Sequence, residues 1–342
     1  RMIPESAFKI DTMTSVGYLI LDGAAVVVSL FGLHALLHSV FWLGLPLAAK
    51  AVTVAPLQLL AGFAMWTMWC IGHDAGHGTF SKSKLVNDIA GEISHSVCCL
   101  TPFHAWKLSH LQHHLNHNHI SRDYSHQWFI KGQPFEPAWL EVAHATRNVQ
   151  IPFFYIVYLL LGVPDGGHVF FYGKMWEGLP ASDKQRGVIS SAVSLATALG
   201  LWAALGTAEF GMVCIVPWLV MSCWLFMVTY LQHHSEDGKI YTDETWSFTR
   251  GGFETVDRDY GTLFNNLCHH MMDGHVAHHL FFSKIPHYGL KPATDGITAG
   301  LDKLGLKQAL YKSITTHDFV QEVVTQFDRN WFFVEEANVV RE

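Results

Sequence analysis

Three stretches of this chain stay apolar for longer than a globular core element needs. Residues 51–72, 187–206 and 210–231 carry no charged side chain. A helix of about 20 apolar residues crosses the ~30 Å hydrocarbon core of a bilayer, so each stretch can span. A fourth run lies near residues 15–36, interrupted by Asp22 and His34. An acidic group at that depth is costly, and Asp22 is expected at the interface or turned toward protein. Two further apolar runs are too short to cross. Residues 39–49 read as a dip into the bilayer. Ile151–Val163, with Pro152 inside it and Pro164 after it, reads as a re-entrant or interfacial segment.

Basic residues orient these spans. Of the 22 Lys and Arg, only Lys50 lies in the connection between the first two spans, and none lies in the 207–209 turn. The rest precede the first span, sit in the 72–186 segment or follow residue 231. The positive-inside rule therefore places both termini and the 72–186 segment in the cytoplasm. Four spans also require the termini to share a side. The expected fold is an all-α integral membrane protein: about four transmembrane helices under a helical cytosolic cap, as a single domain over residues 1–342. No cleavable signal peptide is expected.

Composition sharpens this picture at one point. The chain is 50% hydrophobic and 15% charged, in keeping with a membrane protein, and its net charge of −7 gives no reason to expect a nucleic-acid partner. The six cysteines form no CxxC pair and read as reduced core residues. Histidine is the anomaly, with 23 residues. Eight of them form three clusters: His73 and His77; His110, His113 and His114; and His275, His278 and His279. On a helix, i,i+3 and i,i+4 offsets put the imidazoles of a cluster on one face. The span order brings all three clusters to the cytosolic side. An all-imidazole set without thiolates suits iron, copper, nickel or zinc. Eight ligands exceed the needs of one ion and fit two, with positions left open.

His233, directly after the fourth span, is a candidate ninth ligand. His269 and His270 are candidates for a ligand or a supporting role. His95, His104, His117, His119 and His126 read as hydrogen-bond partners or surface groups. His34, His38, His144, His168, His287 and His317 are isolated and read as ordinary packing or surface residues. Metal-bound imidazoles usually donate their second N–H to a carboxylate or carbonyl. Asp74, Asp88, Glu92, Asp123, Asp259 and Asp273 lie near enough in sequence to serve. The clusters border apolar spans, so a lipid entering from the bilayer is the expected substrate. Trp66, Trp69, Trp106, Trp224 and Phe226 are candidates to line its slot, with packing or an interfacial belt as the alternative for each.

The strings HDAGH at His73, HLQHH at His110 and HVAHH at His275 resemble the three histidine boxes of membrane fatty-acyl desaturases. The resemblance extends to Lys84-Leu-Val-Asn-Asp88, Thr229-Tyr-Leu-Gln-His233, Trp246-Ser-Phe-Thr-Arg250, the Thr255 to Gly261 stretch and HVAHHLFFSKIPHY ending at Tyr288. It covers roughly residues 3–300 and looks like the endoplasmic-reticulum oleate delta-12 and omega-3 group. The resemblance implies two Fe ions held by the eight box histidines with His233. It implies O2-dependent removal of two hydrogens from adjacent methylenes of an acyl chain, carried by phospholipid or CoA. It implies electrons from cytochrome b5 and an NADH reductase, with cytochrome b5 as a separate partner. A homo- or heterodimer is compatible with it. His234, His270 and the Asn116-His-Asn-His119 stretch depart from the family pattern.

HVAHH leans toward delta-12 over omega-3 (delta-15) activity, and acyl hydroxylases, epoxygenases and acetylenases share these boxes. Two readings from outside this group compete. A histidine-rich membrane metal transporter would need ionisable groups within its spans, and 187–206 and 210–231 have none. An alkane or carotenoid hydroxylase would share the metal logic but not the YLQH, DRDYG and HVAHHLF context.

Overall fold

The computed structural model describes residues 2–123, 126, 128–135, 138–150, 153, 167–169, 171, 173–315 and 318–342. The short apolar run at 151–163 lies outside them except for Phe153, and His317 lies outside them too.

Among the described residues, four helices are long and apolar enough to cross a membrane: Thr12–Leu37, Leu47–His77, Ala181–Leu205 and Thr207–His233. Each covers one of the four expected runs. The first, α1 (Thr12–Leu37), starts on Asp11, whose carboxylate accepts from Met13 N and Thr14 N and satisfies two free amides of the first turn. The second, α2 (Leu47–His77), has 31 residues. At 1.5 Å per residue it is about 46 Å long, well beyond the ~30 Å of hydrocarbon. It is long enough for its last turns, which carry the first histidine cluster, to extend beyond the bilayer. Helix α3 (Lys84–Gly91) and a π-helical segment (Glu92–Cys98) turn back along α2 and lead into α4 (Phe103–Asn116), which carries the second cluster. The third span is α5 (Ala181–Leu205). The fourth begins at Thr207, passes a π-helical turn at Gly211–Ile215 and continues as α6 (Val216–His233). The third cluster opens α7 (His275–Phe281), and α8 (His287–Lys303) follows it.

Packing fixes α2 at the centre, between α1 and α6. Gly62 lets α6 approach: a Cβ there would lie 2.4 Å from Val220 Cβ. The outer faces of the spans keep Ile20, Val28, Phe31, Leu59, Leu195 and Leu199 exposed, as lipid contact requires. The 39–49 stretch forms a short helix, Val40–Leu43, with Val40, Phe41 and Leu43 exposed. Among the described residues, the cap is mainly helical and has three short parallel strand pairs. These tie Phe333–Val334, Val339–Val340 and Lys312–Thr315 of the C-terminal region onto the cap.

Asp22 is buried in α1 and faces protein, where His269 Nε2–H donates to its carboxylate at 2.7 Å. Removing one partner of a buried pair typically costs about 3–5 kcal/mol. Asp22→Leu is thus expected to lower the melting temperature sharply in detergent, while Asp22→Leu with His269→Leu recovers most of the loss. Additive losses in the double variant would show that the pair is not coupled. At the other end of the spans, His34 and His38, read as isolated from sequence, both meet Glu209 from the start of the fourth span.

Candidate metal centre

Helix geometry divides each HxxHH string between two groups. Successive helical residues point about 100° apart, whereas i and i+4 diverge by only about 40°. His110 and His114 therefore work together and His113 points elsewhere. In α7 the pair is His275 and His279, with His278 turned away. The structure follows this division. His73, His77, His110, His114 and His278 bring one ring nitrogen each within 4.8 Å of one another. Overlapping triads join His113, His233, His275 and His279 into a second group, and His117 and His126 each complete one of those triads, His117 with His113 and His279, His126 with His113 and His233. The groups touch where the rings of His114 and His279 stack at 4.1 Å.

Nitrogens that face each other mark the centres. His77 Nε2 and His73 Nε2 are 3.3 Å apart, His114 Nε2 and His110 Nε2 3.0 Å, and His278 Nε2 and His114 Nε2 3.2 Å. In the second group, His275 Nε2 and His233 Nε2 are 3.1 Å apart. Two nitrogens bound at right angles to one transition-metal ion, at 2.0–2.1 Å each, stand about 3 Å apart. The spacing thus matches a shared ion. The buried His113 Nε2 and both nitrogens of buried His279 have no hydrogen-bond partner among the described residues. Leaving such groups unpaired costs about 1–3 kcal/mol each, and an ion would satisfy the lone-pair nitrogen of each ring. The donor set suits a borderline transition metal, so the residues fit a two-metal centre.

Electrostatics keep the ring nitrogens available. Burial, and then the neighbouring imidazoles, hold His110, His114, His275, His278 and His279 well below the ordinary histidine pKa of 6.5. They are neutral at physiological pH and keep a lone pair for a metal.

Carboxylates and carbonyls brace the rings from outside. His113 Nδ1–H donates to both oxygens of buried Asp123, at 2.9 and 3.1 Å, which leaves its Nε2 turned to the second group. Asp257, pushed up to about 7 by burial, accepts from Val276 N at 2.8 Å and holds the first turn of α7. Asp74 accepts from both the backbone N and Nδ1 of His287, at 2.8 and 2.9 Å, and so fixes α8 against the end of α2. His95 Nε2–H donates to Trp69 O at 3.0 Å, and burial drives its pKa to about 3.

Several placements differ from the sequence expectation. His269 and His270 join neither group. Both take left-handed backbone, φ 54° and 56°, and point away: His269 to Asp22, His270 to Asp273 at 3.1 Å. Asp273 and Asp74 accordingly serve His270 and His287 rather than a clustered ring. Asp257, not Asp259, supports the third cluster. His117 and His126, read as surface or hydrogen-bond residues, stand against the second group. Their rings lie 4.8 Å and 4.4 Å from that of His233. His117 caps α4 at i+4 from His113, a helical offset that could have announced it, whereas His126 lies beyond the helix and no such spacing marks it. An apolar cavity reaches the groups, lined by Trp66, Trp69, Trp106, Leu225 and Phe226 together with His233 and His275. Trp224 lies outside it, packed on Phe63, Phe264 and Phe319.

Fold and site together define an integral-membrane protein with a histidine-built candidate dimetal centre beside an apolar cavity. Residues 49–311 match the fatty acid desaturase family model, and the chain belongs to that family of oxidoreductases. It is 32% identical over 341 residues to the delta(12) fatty acid desaturase fat-2 of Caenorhabditis elegans, covering 97% of this chain and 82% of that one. It is 35% identical over 312 residues to the endoplasmic-reticulum omega-3 fatty acid desaturase of Nicotiana tabacum, covering 89% and 77%. It is 32% identical over 293 residues to an acyl-lipid omega-3 desaturase (cytochrome b5), endoplasmic reticulum, of Arabidopsis thaliana, covering 82% and 72%.

Proposed function

We propose that this chain is an oleate delta-12 desaturase that converts a lipid-linked oleoyl chain to linoleoyl. The observation that carries the reading is the juxtaposition of the two imidazole groups with the apolar cavity. His73, His77, His110, His114 and His278 would hold one iron, and His113, His233, His275 and His279 the other. With O2, two electrons and two protons, the bound irons would supply the oxidant that takes one hydrogen from each of two adjacent methylenes, O2 leaving as two waters. The protein's part is positioning and exclusion of water. Trp66, Trp69, Trp106 and Phe226 would grip the acyl chain so that one methylene pair lies beside His233 and His275. Asp123 and the carbonyl of Gly251 would hold the imidazoles in place while substrate enters and product leaves.

Electrons would come from a separate cytochrome b5 and its NADH reductase, in line with the cytochrome b5 named for the Arabidopsis relative. The enzyme would reside in the endoplasmic reticulum, as its tobacco and Arabidopsis relatives are named, with its metal centre on the cytosolic side, a reading that the placement of Lys and Arg supports. Omega-3 activity is the second reading, favoured by the tobacco relative's 35% identity.

Expression in a eukaryotic host with only saturated and monounsaturated acyl chains separates the two. The expected product is an 18:2 chain with its new double bond at carbon 12. An 18:3 chain that forms only when linoleate is fed would replace the delta-12 reading with the omega-3 one. A hydroxylated acyl chain would overturn both.

A further inference from the structure

His117 lies outside the three boxes, yet its surroundings lock it into one orientation. Gly251 O accepts from its Nδ1–H at 2.7 Å. Its own carbonyl accepts from Trp246 Nε1–H at 2.9 Å. A Cβ at Gly251 would fall 2.2 Å from that carbonyl, so only glycine lets the 247–252 segment close on His117. With the proton committed to Nδ1, the Nε2 of a neutral His117 carries a lone pair. That Nε2 lies 3.0 Å from His233 Nδ1. The only hydrogen bond these atoms can form has His233 Nδ1–H as donor. His233 then has its lone pair on Nε2, the atom that faces His275 Nε2 at 3.1 Å.

We propose that His117 is a positioning residue that sets the tautomer and ring orientation of His233, through a relay from the Gly251 carbonyl via His117 to His233. The inference rests on the diiron reading above and deepens it at the second group. Bracing partners of this kind typically change metal affinity by about 10–100-fold. The relay also gives the tryptophan of the Trp246-Ser-Phe-Thr-Arg250 stretch a task, since its indole N–H pins the carbonyl of His117.

The test uses the 342-residue chain in detergent, reconstituted with ferrous iron, as wild type, His117→Ala, His117→Gln and His233→Ala. Gln places an acceptor oxygen close to where His117 Nε2 stands. Iron per chain and the Mössbauer spectrum are read together. His117→Ala should keep the iron of the five-histidine group and bind the second about 10–100-fold more weakly. The second quadrupole doublet should also change. His117→Gln should restore binding and spectrum, and His233→Ala should lose the second iron whatever stands at 117. Retention of both irons with wild-type affinity and spectrum in His117→Ala would overturn the proposal. So would His117→Gln behaving like His117→Ala, because the imidazole would then do more than accept a hydrogen bond. The first iron reports on folding: if His117→Ala loses both, His117→Gln decides. Wild-type protein that takes up no iron would instead refute the diiron reading itself.

Discussion

The His275→Ala variant is expected to insert in the membrane and make no detectable new double bond. His275 opens α7 and turns Nε2 onto His233 Nε2 at 3.1 Å, so its loss removes one of the four rings around the second centre. Changes to residues that merely brace a ligand typically cost about 10–100-fold in metal affinity or activity, and removing the ligand should cost at least the upper end of that range. Product should therefore fall below about 1% of wild type. The fold should survive. α7 is held by Asp257 at Val276 N and by packing against α8, and neither contact uses the His275 ring. Fluorescence-detected size exclusion should give a wild-type profile. Wild-type amounts of product would remove His275 from the site.

The second large effect is expected at Asp123. It is buried, takes both contacts from His113 Nδ1, and accepts from Asn118 N at 3.2 Å and His126 N at 3.3 Å. One carboxylate thus orients a ring of the second group and folds the loop that carries His126. Asp123→Ala leaves the His113 N–H unpaired in a dry site and frees the ring to rotate. We expect the second ion to bind about 10–100-fold more weakly and turnover to fall with it. Asp123→Asn keeps one acceptor and should lose less. Competition with a chelator, followed by iron content, reads this directly; equal retention in both variants and wild type would show that the brace is dispensable.

What could be read from the sequence follows from which signals are local. The spans were legible because apolar runs of about 20 residues have few other uses. The clustering of the box histidines was legible because helix offsets are local geometry. The division of each box into two groups also follows from that geometry, although the offsets were first read as one shared face per cluster. Partners distant in the chain were not legible. Nothing near His117 signals that Gly251 closes on it, and nothing near Asp22 signals His269. Asp257 hides beside Asp259 until α7 is placed on it. Trp224 shows a different limit: a span apolar on every side does not say which face meets the cavity. His34, His38 and His287 looked isolated because Glu209 and Asp74 reach them only in the folded chain.

The central claim is that two imidazole groups hold two ions of one kind at unequal sites. Iron quantification with Mössbauer spectroscopy on the purified, reconstituted wild-type chain tests it most directly. About two irons per chain and two distinguishable quadrupole doublets are expected, one from the five-histidine group and one from the four-histidine group. A single iron, or zinc retained in preference to iron with no gain in desaturation on iron loading, would contradict it.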